Sequence, residues 1–204
     1  MLVIGIAGGS GCGKSTFVRN VIKRLPPEKV ALISQDNYYN DNSHLTMEER
    51  HKLNFDHPNS IDFNLLIEQL TILKNGNAIA MPQYSYLTCT RSNETITIEP
   101  KPIIIVEGMM SLVRKELRDL LDISIFIDVD DDERLIRCIQ RDIEERGRNV
   151  ASVVDRYQKT VKPMHLAFIA PSKYHADVIV PRGGENIAAR DMIVKMILQK
   201  ILNE

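Results

Sequence analysis

Residues 8–15 read GGSGCGKS, a match to the pattern G-x-x-x-x-G-K-[ST]. Glycines let successive backbone N–H groups point into one concavity, and such a concavity holds phosphate oxygens. In this pattern the lysine reaches the β- and γ-phosphates and the last hydroxyl binds Mg²⁺, which here means Lys14 and Ser15. The candidate nucleotide-binding set is therefore Gly8, Gly9, Ser10, Gly11, Cys12, Gly13, Lys14, Ser15 and Thr16. The context is the one this loop requires. LVIGIA (2–7) precedes it and reads as a buried strand. After it, Phe17, Val18, Val21, Ile22 and Leu25 recur at helical spacing until Pro26-Pro27. The positive end of that helix adds to the cradle. Cys12 sits at the helix N-terminus, where thiolate is favoured, so it is expected to be the fastest of the thiols to alkylate.

Further along, VALIS (30–34), PIIIVEG (102–108), ISIFIDV (123–129) and ADVIVP (176–181) are nearly continuous apolar runs, as parallel strands covered on both faces must be. Helical patterns separate them. One carries Phe63, Leu66, Leu70 and Leu73 and stops near Gly76; one runs from Asp131 to Arg146-Gly147; others cover about 150–170 and 187–203. This alternation predicts an α/β fold, a mostly parallel five-stranded sheet flanked by helices, in one domain spanning 1–204. One segment breaks the rhythm. Residues 78–91 and 95–100 read as two strands joined by a polar turn at Ser92–Glu94, a β-hairpin inserted at about 78–100.

Composition narrows the function. The 204 residues are 44% hydrophobic, enough for a sizeable core, and the net charge of −1 supplies no field to recruit nucleic acid or an anionic membrane. No apolar run reaches the length of about 18 residues that suggests a membrane span. MLVIGIAGG lacks a basic n-region and runs into the phosphate loop, so it is not read as a signal segment. The three cysteines, Cys12, Cys89 and Cys138, form no CxxC pair, which points to a reducing cytoplasm.

Ligands of open parallel sheets sit at the carboxyl ends of the strands. Asp36 follows VALIS and Glu107 follows PIIIV. Beside a phosphate loop, one such carboxylate can hold Mg²⁺ and another can accept a proton from an attacking hydroxyl. The N-K-x-D and D-x-x-G strings of switch GTPases do not occur. Arg134, Arg137, Arg141, Arg146 and Arg148 crowd one segment, and Gly147 lets the chain turn there, as expected of a mobile lid over about 134–150. From the residues alone the reading is a P-loop kinase of a small molecule. A nucleotide-binding regulatory module is the alternative from a different class, and Asp36 argues against it.

GGSGCGKS, ISQDNYY (33–39), SHLTMEER (43–50), NFDHP (54–58), PQYSY (82–86), IIIVEG (103–108), RDIEERGR (141–148), YQKTVKP (157–163) and VIVPRGG (178–184) together resemble the uridine kinase (uridine–cytidine kinase) family, bacterial type, over essentially the whole chain. The resemblance implies phosphoryl transfer from ATP (or GTP), with Mg²⁺, to the 5′-hydroxyl of a pyrimidine ribonucleoside in a cytoplasmic homotetramer. It implies that Asp36 is the catalytic base and that Ser15 and Glu107 are Mg²⁺ ligands. By the same resemblance, Asp56 binds the ribose hydroxyls, Tyr84 lies in the nucleoside pocket and Tyr86 forms an aromatic wall. Arg141, Arg146 and Arg148 match lid arginines, with Arg148 near the nucleoside.

Three positions depart from the family pattern. Cys89 stands where the base-reading histidine is expected, Cys138 where an arginine helps bind the nucleoside, and Arg156 where a glutamine does. The phosphate and Mg²⁺ elements match the pattern while the base-reading elements differ. Another nucleoside, a sugar phosphate or a pantothenate-like alcohol is therefore the alternative acceptor, and Arg156 would suit an anionic one.

Overall fold

The computed structural model describes residues 1–145 and 147–202. Five strands form one parallel sheet: β1 (Leu2–Ala7), β2 (Val30–Ser34), β5 (Ile103–Glu107), β6 (Ile123–Asp128) and β7 (Val178–Pro181), in the order β2-β5-β1-β6-β7. Every residue of β1 and β5 is buried, as the continuous apolar runs require of central strands. The edge strands β2 and β7 expose some of theirs, including Leu32 and Ile179. The register places Glu107 between Ile6 and Ser34, so the ends of three strands meet at one point.

Two helical layers cover the sheet. On one face, α1 (Lys14–Ile22) packs through Phe17, Val18 and Val21 against Ile193, Val194 and Ile197 of the C-terminal helix Ile187–Leu202. On the other, α3 (Phe63–Lys74) buries the four residues expected from its spacing, Phe63, Leu66, Leu70 and Leu73. Asp62 caps α3 by accepting from the Leu65 N–H at 3.0 Å, and Gly76, with φ 83°, follows its C-terminus. Shorter helices α2 (Met47–His51) and α4 (Lys115–Arg118) precede α5 (Asp131–Glu144) and α6 (Val150–Arg156). A capping box starts α2: Thr46 Oγ1 accepts from the Glu49 N–H at 3.4 Å, and Glu49 Oε2 accepts from the Thr46 N–H at 2.8 Å.

The helix expected at about 150–170 runs from 150 to 172, but two stretches, Tyr157–Val161 and His165–Ile169, are π-helical. Pro163 and Pro171 follow these wider turns. Proline lacks an N–H and crowds the carbonyl four residues back, and local π geometry accommodates it.

The inserted hairpin is present as β3 (Ile79–Ser85) and β4 (Thr90–Ile98), paired antiparallel. Its turn is not at Ser92–Glu94, which lies inside β4, but at residues 86–89. Cys89 closes it in the left-handed region, φ 52°. Arg50 of α2 holds the turn from outside, donating to the carbonyls of Thr88 (2.9 Å), Asn42 (2.9 Å), Leu45 (3.0 Å) and Ser43 (2.9 Å). Pro82 cannot donate to the ladder, and the register shifts between Pro82 and Tyr84.

Leu66 of α3 has no exposed surface and belongs to the core shared with the sheet (Ile104, Val106) and the hairpin (Ile79, Met81). Leu66→Ala is expected to cost about 2–5 kcal/mol of stability, read as a lower urea midpoint with an unchanged slope.

Candidate active site

The phosphate loop owes its shape to backbone that only glycine tolerates. Gly11 and Gly13 have φ of 81° and 84°. A Cβ at Gly11 would lie 2.4 Å from the Arg134 carbonyl oxygen, and one at Gly13 would lie 2.9 Å from the Gly184 nitrogen, both rigid backbone atoms. Gly13 begins α1 without a side-chain cap, and no acid sits in the first turn, so nothing there offsets the positive end of the helix.

Behind the loop lies an unusual helix face. The buried residues of α5 are Arg134, Cys138 and Asp142, spaced i, i+4, i+8. Arg134 donates to the Ser10 carbonyl at 3.3 Å and to Asp131 at 2.5 Å. Cys138 Sγ lies 3.5 Å from Ser10 Oγ. Arg134 thus braces the phosphate loop. Cys138 also backs that loop, its turn of α5 packing on Gly11. His165 completes this layer against Gly9. Burial, then the Arg134 charge, lowers its pKa to about 4, so it is neutral at physiological pH.

Lys14, Asp36 and Glu107 come together at the sheet end. Burial penalises the Lys14 charge, but Asp36, Cys12 and Glu107 more than restore it, and its pKa is raised. Arg141 lies near enough to oppose it. Glu107 is buried and its pKa is raised, by burial first and by Asp36, against the opposing influences of Lys14 and Ser15. Glu107 Oε1 accepts from Ser15 Oγ at 3.1 Å, whereas its buried Oε2 has no hydrogen-bond partner among the described residues. A hard cation with oxygen ligands, such as Mg²⁺, suits that donor set. Ser15 and Glu107 therefore fit a Mg²⁺ site completed by substrate phosphates.

Opposite the loop stands an aromatic cluster. Tyr84 meets Tyr39 at 4.9 Å between ring centroids, Tyr86 at 5.4 Å and Phe55 at 6.3 Å. Burial raises the Tyr39 pKa, and the charges of Asp36, Tyr86, Asp56 and Tyr84 each add to the rise. The Tyr86 hydroxyl donates to Asp36 Oδ2 at 2.6 Å. Tyr39 and Phe55 were inside quoted motifs without a role of their own. An aromatic close to a carboxylate in each motif, Tyr39 three residues after Asp36 and Phe55 just before Asp56, was the available signal.

Asp56 is only 4% exposed and Asp142 only 1%. Arg156 donates to Asp56 at 2.9 Å and reaches Asp142 at 3.5 Å. Arg148 donates to Asp142 Oδ2 at 2.8 Å, and Arg141 binds its Oδ1 at 2.8–3.0 Å. Arg141 and Arg148 thus converge on one buried carboxylate. Arg146 lies outside the described residues.

The thiols reverse the expectation for Cys12. Cys12 is 1% exposed, sits in the core under α1, and its pKa is raised by burial despite the nearby Lys14. A helix N-terminus does not activate a thiol that water cannot reach. Cys138 is also buried, while Cys89 is half-buried at the hairpin turn. Iodoacetamide labelling followed by peptide mass mapping should modify Cys89 first, with Cys12 and Cys138 reacting only as the protein opens. Cys12 labelling at the Cys89 rate would contradict this placement.

Comparison with known proteins agrees with this geometry. Residues 3–189 match the model of the phosphoribulokinase/uridine kinase family. Uridine kinase of Staphylococcus haemolyticus is 51% identical over 195 residues, covering 96% of this chain and 94% of that protein. Uridine kinase of Clostridium novyi is 51% identical over 203 residues, covering 100% and 97%. The structure of phosphoribulokinase from Rhodobacter spheroides superposes with a TM-score of 0.64 at 14% identity, over 88% of this chain and 69% of that one, a likeness of fold alone. With its phosphate loop, strand-end carboxylates and inserted hairpin accounted for, the chain belongs to the phosphoribulokinase/uridine kinase family of P-loop kinases.

Proposed function

We propose that the protein transfers the γ-phosphoryl group of ATP to the 5′-hydroxyl of uridine or cytidine, as a cytoplasmic enzyme of pyrimidine salvage. The observation that carries this reading is the pairing of Asp36 with Tyr86 beside the Tyr39–Phe55–Tyr84 cluster and buried Asp56. An aromatic cluster suits a flat base, and a buried carboxylate suits a ribose diol. The names of the relatives support the same acceptor. The three free cysteines fit a reducing compartment.

In this mechanism the phosphate loop and Lys14 hold the triphosphate. Ser15 and Glu107 would hold Mg²⁺, which would supply positive charge to neutralise the phosphates. Tyr86 occupies one oxygen of Asp36, leaving Oδ1 for the acceptor. Asp36 takes the proton of the 5′-hydroxyl as its oxygen bonds to the γ-phosphorus. The bond from that phosphorus to the β–γ bridging oxygen breaks, and ADP leaves with the electron pair. Arg141 and Arg148 supply positive charge as charge develops on the transferring group.

Cys89 bears on which acceptor is used. The turn at 86–89 brings its thiol beside the Tyr84 phenol, whose pKa is raised by burial first and by Cys89 next. Tyr84 and Cys89 therefore share a side, although they would face opposite ways in a regular strand. A second reading, an anionic or non-pyrimidine alcohol as acceptor, is favoured by the Arg156 guanidinium at Asp56.

ADP release measured across uridine, cytidine, a purine nucleoside and a sugar phosphate tests both readings. Stimulation by the pyrimidine nucleosides is expected; stimulation by the sugar phosphate alone would favour the second. Asp36→Asn should lower kcat by roughly 10²–10⁴-fold with nucleotide affinity little changed. Retained turnover with collapsed affinity would make Asp36 a nucleotide-side ligand and not the base. Histidine is among the side chains enriched at positive φ, so Cys89→His is compatible with the turn. One added hydrogen bond, about 0.5–1.5 kcal/mol, predicts a several-fold gain in kcat/KM confined to pyrimidine nucleosides.

A further inference from the structure

Two nearly fully buried carboxylates, Asp56 and Asp142, share one guanidinium. A buried carboxylate without a partner is costly, and each has a different set of partners. Asp142 has Arg141 on Oδ1 and Arg148 on Oδ2. On Asp56, Arg156 is the paired cation among the described residues, and Thr160 Oγ1 adds a longer contact at 3.4 Å. The planar guanidinium carries donors in a fixed fork, so it can span two acceptors that a point charge cannot.

The chain aims this fork with its backbone. Arg156 ends α6 where the π-helical stretch Tyr157–Val161 begins. Within that stretch, Thr160 Oγ1 donates back to the Arg156 carbonyl at 2.9 Å while facing Asp56. An extra residue in the turn is a common device for re-aiming side chains at functional sites.

We propose that Arg156 is a positioning residue that couples the acceptor-binding carboxylate Asp56 to Asp142, the carboxylate on which lid arginines Arg141 and Arg148 converge. The proposal rests on the reading of Asp56 as the acceptor carboxylate. Its consequence is that a change at Asp142 reaches the acceptor pocket through Arg156.

The test is a double-mutant cycle on the uridine KM at saturating Mg-ATP, with wild type, Asp142→Asn, Arg156→Gln, the double variant, and Asp56→Asn. Circular dichroism melting and fluorescent-nucleotide affinity establish that each variant folds. A parallel cycle with Asp142→Glu, which keeps the charge but lengthens its arm, covers the case in which the asparagine does not fold. Asp142→Asn is expected to raise the uridine KM about tenfold when Arg156 is present, and less than about twofold in the Arg156→Gln background. An equal rise in both backgrounds, or none with Arg156 present, overturns the coupling. Asp56→Asn should itself raise the KM. If it does not, the acceptor reading fails and takes the coupling with it; if it does and the cycle shows no coupling, the coupling alone fails.

Discussion

The site depends on the charge of the buried Lys14 ammonium, which the carboxylates of Asp36 and Glu107 sustain. Burial opposes its charge, and Asp36 above all restores it. The sign follows directly. A lysine whose pKa is raised on folding keeps its stabilising charge below the unfolded value and loses it only as pH rises through the folded one. Around neutral pH the cation is therefore secure. Strand register sets this geometry: Glu107 pairs with Ile6 on one side and Ser34 on the other. Gly8 and Asp36 each lie two residues beyond those partners, so the phosphate loop and Asp36 emerge from the two strands that flank β5. A one-residue slip in either ladder would reverse the side chains and separate the three charges.

The second organising feature is α5. Its buried face is polar, and Ile136 and Ile143 are exposed instead. That inversion follows from what the face touches. Arg134 and Cys138 back the phosphate loop, and Asp142 gathers arginines from the segment after the helix and from the following one. One helix thus connects the phosphate loop to Arg148 and, through Arg156, to the buried Asp56. The hairpin closes the other side, held by Arg50 at its turn and by Arg91, which donates to the Tyr39 carbonyl at 2.7 Å and pairs with Asp62.

The sheet was readable because its central strands are buried on both faces and all five are nearly continuous apolar runs. The phosphate loop was readable because backbone geometry restricts it to glycine. The hairpin turn was misplaced because Ser92–Glu94 has the polar composition of a turn, whereas the real one rests on a tertiary clamp from Arg50 and a left-handed Cys89. No local signal announces an arginine 38 residues away. Cys12 was misjudged for the same kind of reason: motif position indicates helix polarity, but not that α1 and the sheet enclose the thiol. The Tyr86–Asp36 hydrogen bond and the Arg156 fork likewise arise from packing between distant segments.

On the proposed reading, Asp36 accepts the proton of a 5′-hydroxyl while the other ribose hydroxyls and water stay unreacted. Phosphorus-31 NMR of the protein turning over Mg-ATP and uridine reads this out at once. One uridine 5′-monophosphate is expected for each ADP formed. ADP accompanied by inorganic phosphate, or by a 2′- or 3′-phosphate ester, would overturn it.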